Sequence, residues 1–231
     1  TAKTWGFQDV LFKGQELVLE RELGSYVMEN VLFKISFPAE FHAQTAVECA
    51  MKLHGQVRDR LEDIERIEIE TQEAGCRIID KTGPLDNYAD RDHCIQYMVA
   101  YPLIFGELTA ESYADRAAAD PRIDALREKM TVKEDPRFTE EYFDADKRAI
   151  GNSVQVFFKD GSSSDKITID YPVGHRRRRE EGIPLLEQKF EAAVRGHFGA
   201  RQADALISAM HKPRETEEME VQEFSALWSL I

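Results

Sequence analysis

The residues that most restrict how this chain can fold are Val154-Gln-Val-Phe-Phe158 and Ile167-Thr-Ile-Asp-Tyr171, with Asp160-Gly161 between them. Both runs alternate apolar and polar side chains, the period of a strand with one face buried, and a glycine in the intervening turn tolerates positive φ. An antiparallel hairpin is therefore predicted, and other elements must cover its apolar face.

Candidates for that cover lie on both sides in sequence. From about Phe41 to Val57, Ala43, Ala46, Val47, Ala50, Leu53 and Val57 recur at three- and four-residue steps, which predicts an amphipathic helix lying on a sheet. Ile64 to Thr71 sets Ile67 and Ile69 among charges, a strand wet on one face. Lys81 to Asp90, with Gly83, Pro84 and Asn87, reads as a loop; a helix should follow, capped by Asp90 and ended or bent at Pro102. Asp120-Pro121 opens a short helix through Met130. Val10 to Leu19, with Gly14 between two apolar runs, has the composition of a second hairpin. Beyond Pro172 the pattern turns helical. Pro184 stands near a start, Leu185, Leu186, Phe190, Val194 and Phe198 form one stripe, and helices follow at about Arg201 to Met210 and Val221 to Leu230. The expected class is α+β: a small mixed or antiparallel sheet with packed helices in residues 31–178, after a hairpin or linking segment in 1–30 and before a helical segment in 179–231.

Charge narrows the partners. Thirty basic against 43 acidic side chains leave −13, which repels nucleic acid and anionic lipid and requires any anionic ligand to sit in a local positive pocket. No run of about 18 apolar residues offers a membrane span. Cys49, Cys76 and Cys94 are odd in number and widely spaced, which suits reduced thiols and cytoplasmic residence and lacks the close spacing of most zinc and iron–sulfur sites. The opening Thr-Ala-Lys-Thr-Trp has neither an initiator Met nor a secretory pattern, so it is read as an interior cut.

Three places could carry chemistry. Lys34, within Val31-Leu-Phe-Lys-Ile-Ser-Phe37, either occupies a lined pocket or turns its ammonium to water from an edge strand. His93 and Tyr97 are four apart, so one helix would stack imidazole on phenol for proton transfer; spacing alone favours the ordinary arrangement, in which His93 helps cap the helix near Asp90 while Tyr97 and Tyr101 pack in the core. Gly174-His-Arg-Arg-Arg-Arg179 could cradle an anion or be a charge cluster paired with Glu180 and Glu181. His42 suits a ligand, a cap or a core residue.

The string Tyr26 to Glu48, which contains Lys34-Ile-Ser-Phe-Pro-Ala-Glu-Phe-His42, resembles the MmgE/PrpD family. The likeness recurs in order at Ile78-Ile-Asp-Lys-Thr-Gly-Pro-Leu-Asp-Asn87, Ala89-Asp-Arg-Asp-His-Cys-Ile-Gln-Tyr-Met98, Arg122-Ile-Asp-Ala-Leu-Arg-Glu-Lys129, Lys147-Arg-Ala-Ile150 and Tyr171-Pro-Val-Gly-His175. It implies a two-domain enzyme in which a helical domain is built from both chain ends around an inserted α+β domain. On that reading this sequence supplies the insert and the returning helices, while an N-terminal helical domain bearing other acid–base residues, including the principal base, lies outside it.

The implied reaction is a dehydration of 2-methylcitrate to a 2-methylaconitate isomer in propionate breakdown, with no metal and no other cofactor. The resemblance makes Lys34 a carboxylate-binding and enediolate-stabilising group and Tyr97 a hydrogen-bond or proton donor. Arg91, His42, His93 and His175 are implied as further site residues, and a homodimer as the assembly. Decarboxylation of cis-aconitate is an alternative within such a fold, and a non-catalytic binding or dimerisation piece is an alternative outside enzymology.

Overall fold

The structure, a computed structural model, describes residues 2–18, 24 and 30–229. The chain divides into two compact units, Thr1–Val31 and Leu32–Ile231. In the first, the run expected to open a hairpin begins as a helix, α1 (Phe7–Leu11). Gly14, at φ 80°, returns its N–H to the Gln8 carbonyl at 3.1 Å, so the glycine closes a helix end where a strand turn was expected. Residues 15–18 have no regular structure, and Leu19 lies outside the described residues. An isolated two-stranded ribbon is marginal in water without a face to pack on. Val10, Leu11, Leu17 and Val18 are all exposed here.

The second unit is α+β. Its sheet has four strands, β1 (Ile64–Thr71), β2 (Met130–Glu134), β3 (Asn152–Phe158) and β4 (Ile167–Ile169), in the order β2-β1-β3-β4. The β3–β4 pair is the predicted hairpin, antiparallel with Asn152 opposite Ile169 and with Gly161 at φ 82° in its connection. β1 runs antiparallel to β3 and parallel to β2, so the sheet is mixed. β2 has no counterpart among the expected strands, and its first residue, Met130, falls at the end of the expected helix; that helix, capped by the Asp120 carboxylate accepting from Arg122 N, stops at Arg127. A parallel neighbour needs a long crossover, and residues 72–129 provide it.

Ile64, Ile67 and Ile69 on β1 and Val154, Val156 and Phe158 on β3 point to one face, which α2 (Gln44–Val57) covers with Ala46, Val47, Ala50, Leu53 and Val57. Small residues on that helix let it lie close to the strands. The crossover adds α3 (Glu73–Ile79), α4 (Tyr88–Asp92), α5 (Ile95–Phe105), α6 (Asp115–Ala118) and α7 (Pro121–Arg127). From Ile95 to Ile104 every residue of α5 is buried, as an all-round apolar helix requires. Two expectations are corrected here. Of the end or bend expected at Pro102, the end is excluded, since Pro102 lies inside α5, which runs on until Gly106 at φ 76° takes over as its left-handed cap. Asn87, not Asp90, caps α4, its side chain accepting from Asp90 N at 3.0 Å, while the Asp90 carboxylate serves Asp86 N, Asn87 and Lys81.

After β2 comes α8 (Pro136–Phe143), started by Asp135. The chain ends in α9 (Arg179–His197), α10 (Ala200–Met210), α11 (Pro213–Glu217) and α12 (Val221–Leu227). Pro184 sits within α9 rather than at its start, because the turn at Arg176–Arg178 leads directly into the helix. Val194, Ala203, Leu206 and Ile207 form a second, smaller core with Phe190, Phe198 and Leu227 around it. Among the described residues no helix is long and apolar enough to cross a membrane.

Candidate active site

The segment leading into α2 places the first candidates. Residues 31–35 take no regular structure, so Lys34 is not on an edge strand; its side chain is exposed, and its carbonyl accepts from Lys189 Nζ at 2.6 Å. Gly174, at φ 102°, lies against this segment: a Cβ there would come within 2.0 Å of the Phe33 carbonyl oxygen, and Gly174 O accepts from Phe33 N. This close approach makes Lys34 and His175 sequence neighbours of one backbone contact.

His175 is buried and works as a pin. Its Nδ1 accepts from Arg177 N at 3.2 Å, while a further hydrogen bond joins the ring to the Arg148 backbone. Burial pulls its pKa down from 6.5 to about 4, the charges of Arg176, Arg177 and Arg179 push the same way, and the bond to Arg148 opposes them. The ring is thus neutral at pH 7. Of the arginine run, Arg178 is held between Glu48 and Glu181, Arg176 and Arg177 reach the Asp146 carbonyl and Arg179 the Gly174 carbonyl, so the expected pairing with Glu180 and Glu181 holds for Arg178 with Glu181 and the other three bind backbone oxygens.

His42 stands in a short turn, Phe41–Ala43, that leads into α2. Glu40 holds it twice: Oε2 accepts from His42 N at 2.7 Å and Oε1 faces Nδ1 at 2.9 Å. Nε2 faces the Tyr142 hydroxyl of α8 at 3.2 Å. From β3, Asn152 donates to the His42 carbonyl at 2.8 Å and to Thr45 Oγ1 at 2.7 Å, fixing the turn to the sheet. Burial raises the Glu40 carboxyl, but the hydrogen bonds and charge of His42, with a smaller contribution from His93, hold it below the usual range.

Of the two readings of His93 and Tyr97, the stack on one helix does not form, and Tyr97 and Tyr101 pack in the core. His93 closes α4 and Cys94 opens α5, so the two rings do not share a helix; His93 is exposed and pairs with Asp92. Tyr97 stacks on Tyr101, one turn along, with centroids 6.3 Å apart, and on Tyr113 at 5.9 Å. Its hydroxyl donates to Ser112 O at 2.6 Å, and burial pushes its pKa up to about 12. Arg91, 5 % exposed, donates to the next carbonyl, Tyr113 O, at 2.6 Å and to Asp115 at 2.8 Å. Arg91 and Tyr97 are therefore joined through adjacent carbonyls and Lys34 and His175 through the Phe33–Gly174 contact, while His42 is held by Glu40 and His93 by Asp92. A cleft of about 510 Å³ along Lys81–Pro84, Gln96 and Arg127 is lined by none of the six expected residues. Sequence reasoning missed Glu40 and Tyr142. A carboxylate two residues before a histidine at a helix entrance was a readable signal for the first; nothing local marked the second, a hundred residues away.

The family model for the MmgE/PrpD C-terminal domain matches residues 37–212. The chain is 58 % identical to the mitochondrial 2-methylcitrate dehydratase of Yarrowia lipolytica, covering 99 % of this chain and 44 % of that protein. Against the 2-methylcitrate dehydratases of Cupriavidus necator and Salmonella typhimurium the identities are 54 % and 55 %, over 100 % and 99 % of this chain and 48 % of each relative. The chain thus spans less than half the length of these curated relatives. With a match across most of its length, this chain belongs to the MmgE/PrpD family and carries that family's C-terminal domain.

Proposed function

We propose that the protein carrying this sequence dehydrates 2-methylcitrate to 2-methylaconitate, and that part of its active site lies in sequence beyond these 231 residues. The supporting observation is the likeness, between 54 % and 58 % identity along essentially the whole chain, to proteins of that name. Their greater length supports the second clause.

The reaction breaks a C–H bond beside a carboxylate, turns that electron pair into a C=C bond and expels hydroxide, which leaves as water once an acid protonates it. Lys34, exposed on an irregular segment, binds a substrate carboxylate and stabilises negative charge developing beside it. Tyr97 serves as a donor after its hydroxyl turns from the Ser112 carbonyl towards substrate. Arg91 and His175 hold the walls, one through carbonyls 113 and 85, the other through Arg148 and Arg177. His42 is held by Glu40, and His93 stands exposed beside Asp92. Cys49, Cys76 and Cys94 are unpaired thiols, which supports residence in a reducing compartment; the Yarrowia relative is named mitochondrial, so the cytoplasm is one such choice. Exposed Phe143 and Val221 support burial against another surface, which we assign to a second copy in a homodimer.

The test follows ultraviolet absorbance of the unsaturated product. A protein of the relatives' length carrying this sequence is expected to turn over 2-methylcitrate, and the 231-residue chain alone is not. In the longer protein, Lys34→Ala and Tyr97→Phe should each lower kcat about 10²-fold or more. Turnover by the chain alone would remove the incomplete-site proposal, and near-normal kcat in either variant would remove that residue's role.

A further inference from the structure

Both oxygens of the Glu40 carboxylate face His42, and the side chains of this pair are only 11 % and 10 % exposed. A carboxylate can only accept, so whenever the ring of His42 is neutral Nδ1 carries its proton and Nε2 keeps its lone pair. That atom faces the Tyr142 hydroxyl at 3.2 Å, which donates to it. The backbone at His42 cannot follow a movement of Tyr142, because Asn152 ties its carbonyl to β3 and Gln44 Nε2 is bound to the carbonyls of Phe37 and Ala39 on the entering segment. The phenol is different: Tyr142 is half-buried near the end of α8, with Phe143, 69 % exposed, beyond it. The fixed partner and the movable partner therefore hold opposite nitrogens of one ring.

We propose that Glu40 is a positioning residue that makes His42 Nε2 a proton acceptor, and that the Tyr142 hydroxyl covers this atom at rest and turns away to admit an acidic C–H or O–H group. The proposal rests on the dehydration reading for its substrate and adds to it a proton acceptor within this chain. When Nε2 takes the proton, the electron pair of the broken C–H bond becomes the C=C bond, the C–O bond breaks, and a separate acid protonates the leaving hydroxide. The imidazolium formed is balanced by the carboxylate already bound to Nδ1.

Two measurements test this. In the ¹⁵N-histidine-labelled chain, two-bond ¹H–¹⁵N correlations at neutral to mildly basic pH should show neutral His42 as the Nδ1–H tautomer. Glu40→Ala should move it towards Nε2–H, Glu40→Gln should restore Nδ1–H through its remaining acceptor oxygen, and Tyr142→Phe should shift only the Nε2 resonance. An Nε2–H tautomer in the unsubstituted chain overturns the proposal whatever the variants do. In a protein of the relatives' length, His42→Ala and Glu40→Ala should lower kcat by about 10²–10⁴-fold with little change in KM, and Glu40→Gln should recover part of the loss. Wild-type turnover with an undiminished His42→Ala overturns the proposal and leaves the dehydration reading standing; no turnover of 2-methylcitrate by the wild type removes that reading, and with it the assigned substrate, while the tautomer result still decides the role of Glu40.

Discussion

The sheet with α2 and α5, and the helices from α9 to α12, are built by the same chain on different terms. In the first region Leu53, Ile67, Ile69, Met98 and Leu103 have no accessible surface and belong to one continuous cluster. In the second, four buried residues form the centre, and Ile183, Leu185, Val221 and Trp228 remain at the surface. A sheet offers a broad face that one helix can cover almost completely, whereas short helices bury only a stripe each. The tail compensates at its root with polar clamps: Arg178 reaches Glu48 on α2 at 2.8 Å, and Lys189 reaches the Lys34 carbonyl. Apolar area stabilises the body, and a few directed contacts fix where the tail begins.

The sharpest way to break that comparison is to cut the same side chain from both cores. Leu53→Ala should cost about 3–4 kcal/mol, because the surrounding sheet and helices cannot collapse into the space. Leu206→Ala, equally buried, should cost about 2–3 kcal/mol, since helices on one small cluster can close around it. Denaturant melts give the two values, and hydrogen exchange separates their reach. Leu53→Ala should lower protection throughout residues 32–229, and Leu206→Ala only from α9 onward. Equal losses spread over the whole unit would show that body and tail are a single cooperative structure.

What could be read from the sequence follows the same division. β1 is legible from Ile64 to Thr71 because Ile67 and Ile69 alternate with charged residues, and α2 because small apolar residues recur at helical steps. Both are local patterns repeated several times. β2 escaped because Met130 and Val132 give only one alternation, and its place beside β1 depends on a partner sixty residues earlier. The helix break at His93 and Cys94 is a tertiary choice, made while Asn87, Asp90 and Lys81 tie the preceding turn into the loop. For the candidate site, sequence supplied Lys34 and His42 through residue type and resemblance. It could not supply the hydrogen-bond partners that separate a poised ring from a committed one: Tyr142 at His42, Ser112 at Tyr97 and Arg148 at His175.

A smaller effect tests the clamp at the tail's root. Arg178→Met keeps much of the apolar stem but removes the guanidinium from Glu48, Glu181 and the Tyr171 carbonyl. Glu48 is 12 % exposed at its side chain and would be left without its bidentate partner, retaining Lys52 at 3.6 Å. The expected loss is about 2–3 kcal/mol, discounted from a fully buried pair because water reaches Glu181. Pairing it with Glu48→Gln in a double-mutant cycle measures the coupling itself. A coupling near zero would mean that the tail is held by its apolar stripe alone.

The smallest expected effect lies in pH, at the same root. His175 caps the turn at Arg176–Arg178 and binds the Arg148 backbone, where Arg148 sits at φ 46°. Its folded pKa, about 4, is below the ordinary 6.5, so between these values the unfolded chain binds the proton that the folded one refuses. Stability from this group is complete above about pH 6.5 and declines as pH falls towards 4, by about 1–2 kcal/mol between pH 7 and pH 5. Carboxylates titrate in the lower part of this range, so the informative quantity is the difference between the chain and His175→Gln. The variant should start less stable at pH 7 and lose less on acidification, with the gap closing towards pH 5. Hydrogen exchange at pH 5 should show protection falling first around Arg148 and the start of α9 while β1 and β3 hold. A constant gap across the range would mean that His175 takes up its proton equally in the folded and unfolded chains, and that the fold does not enforce a neutral ring where body joins tail.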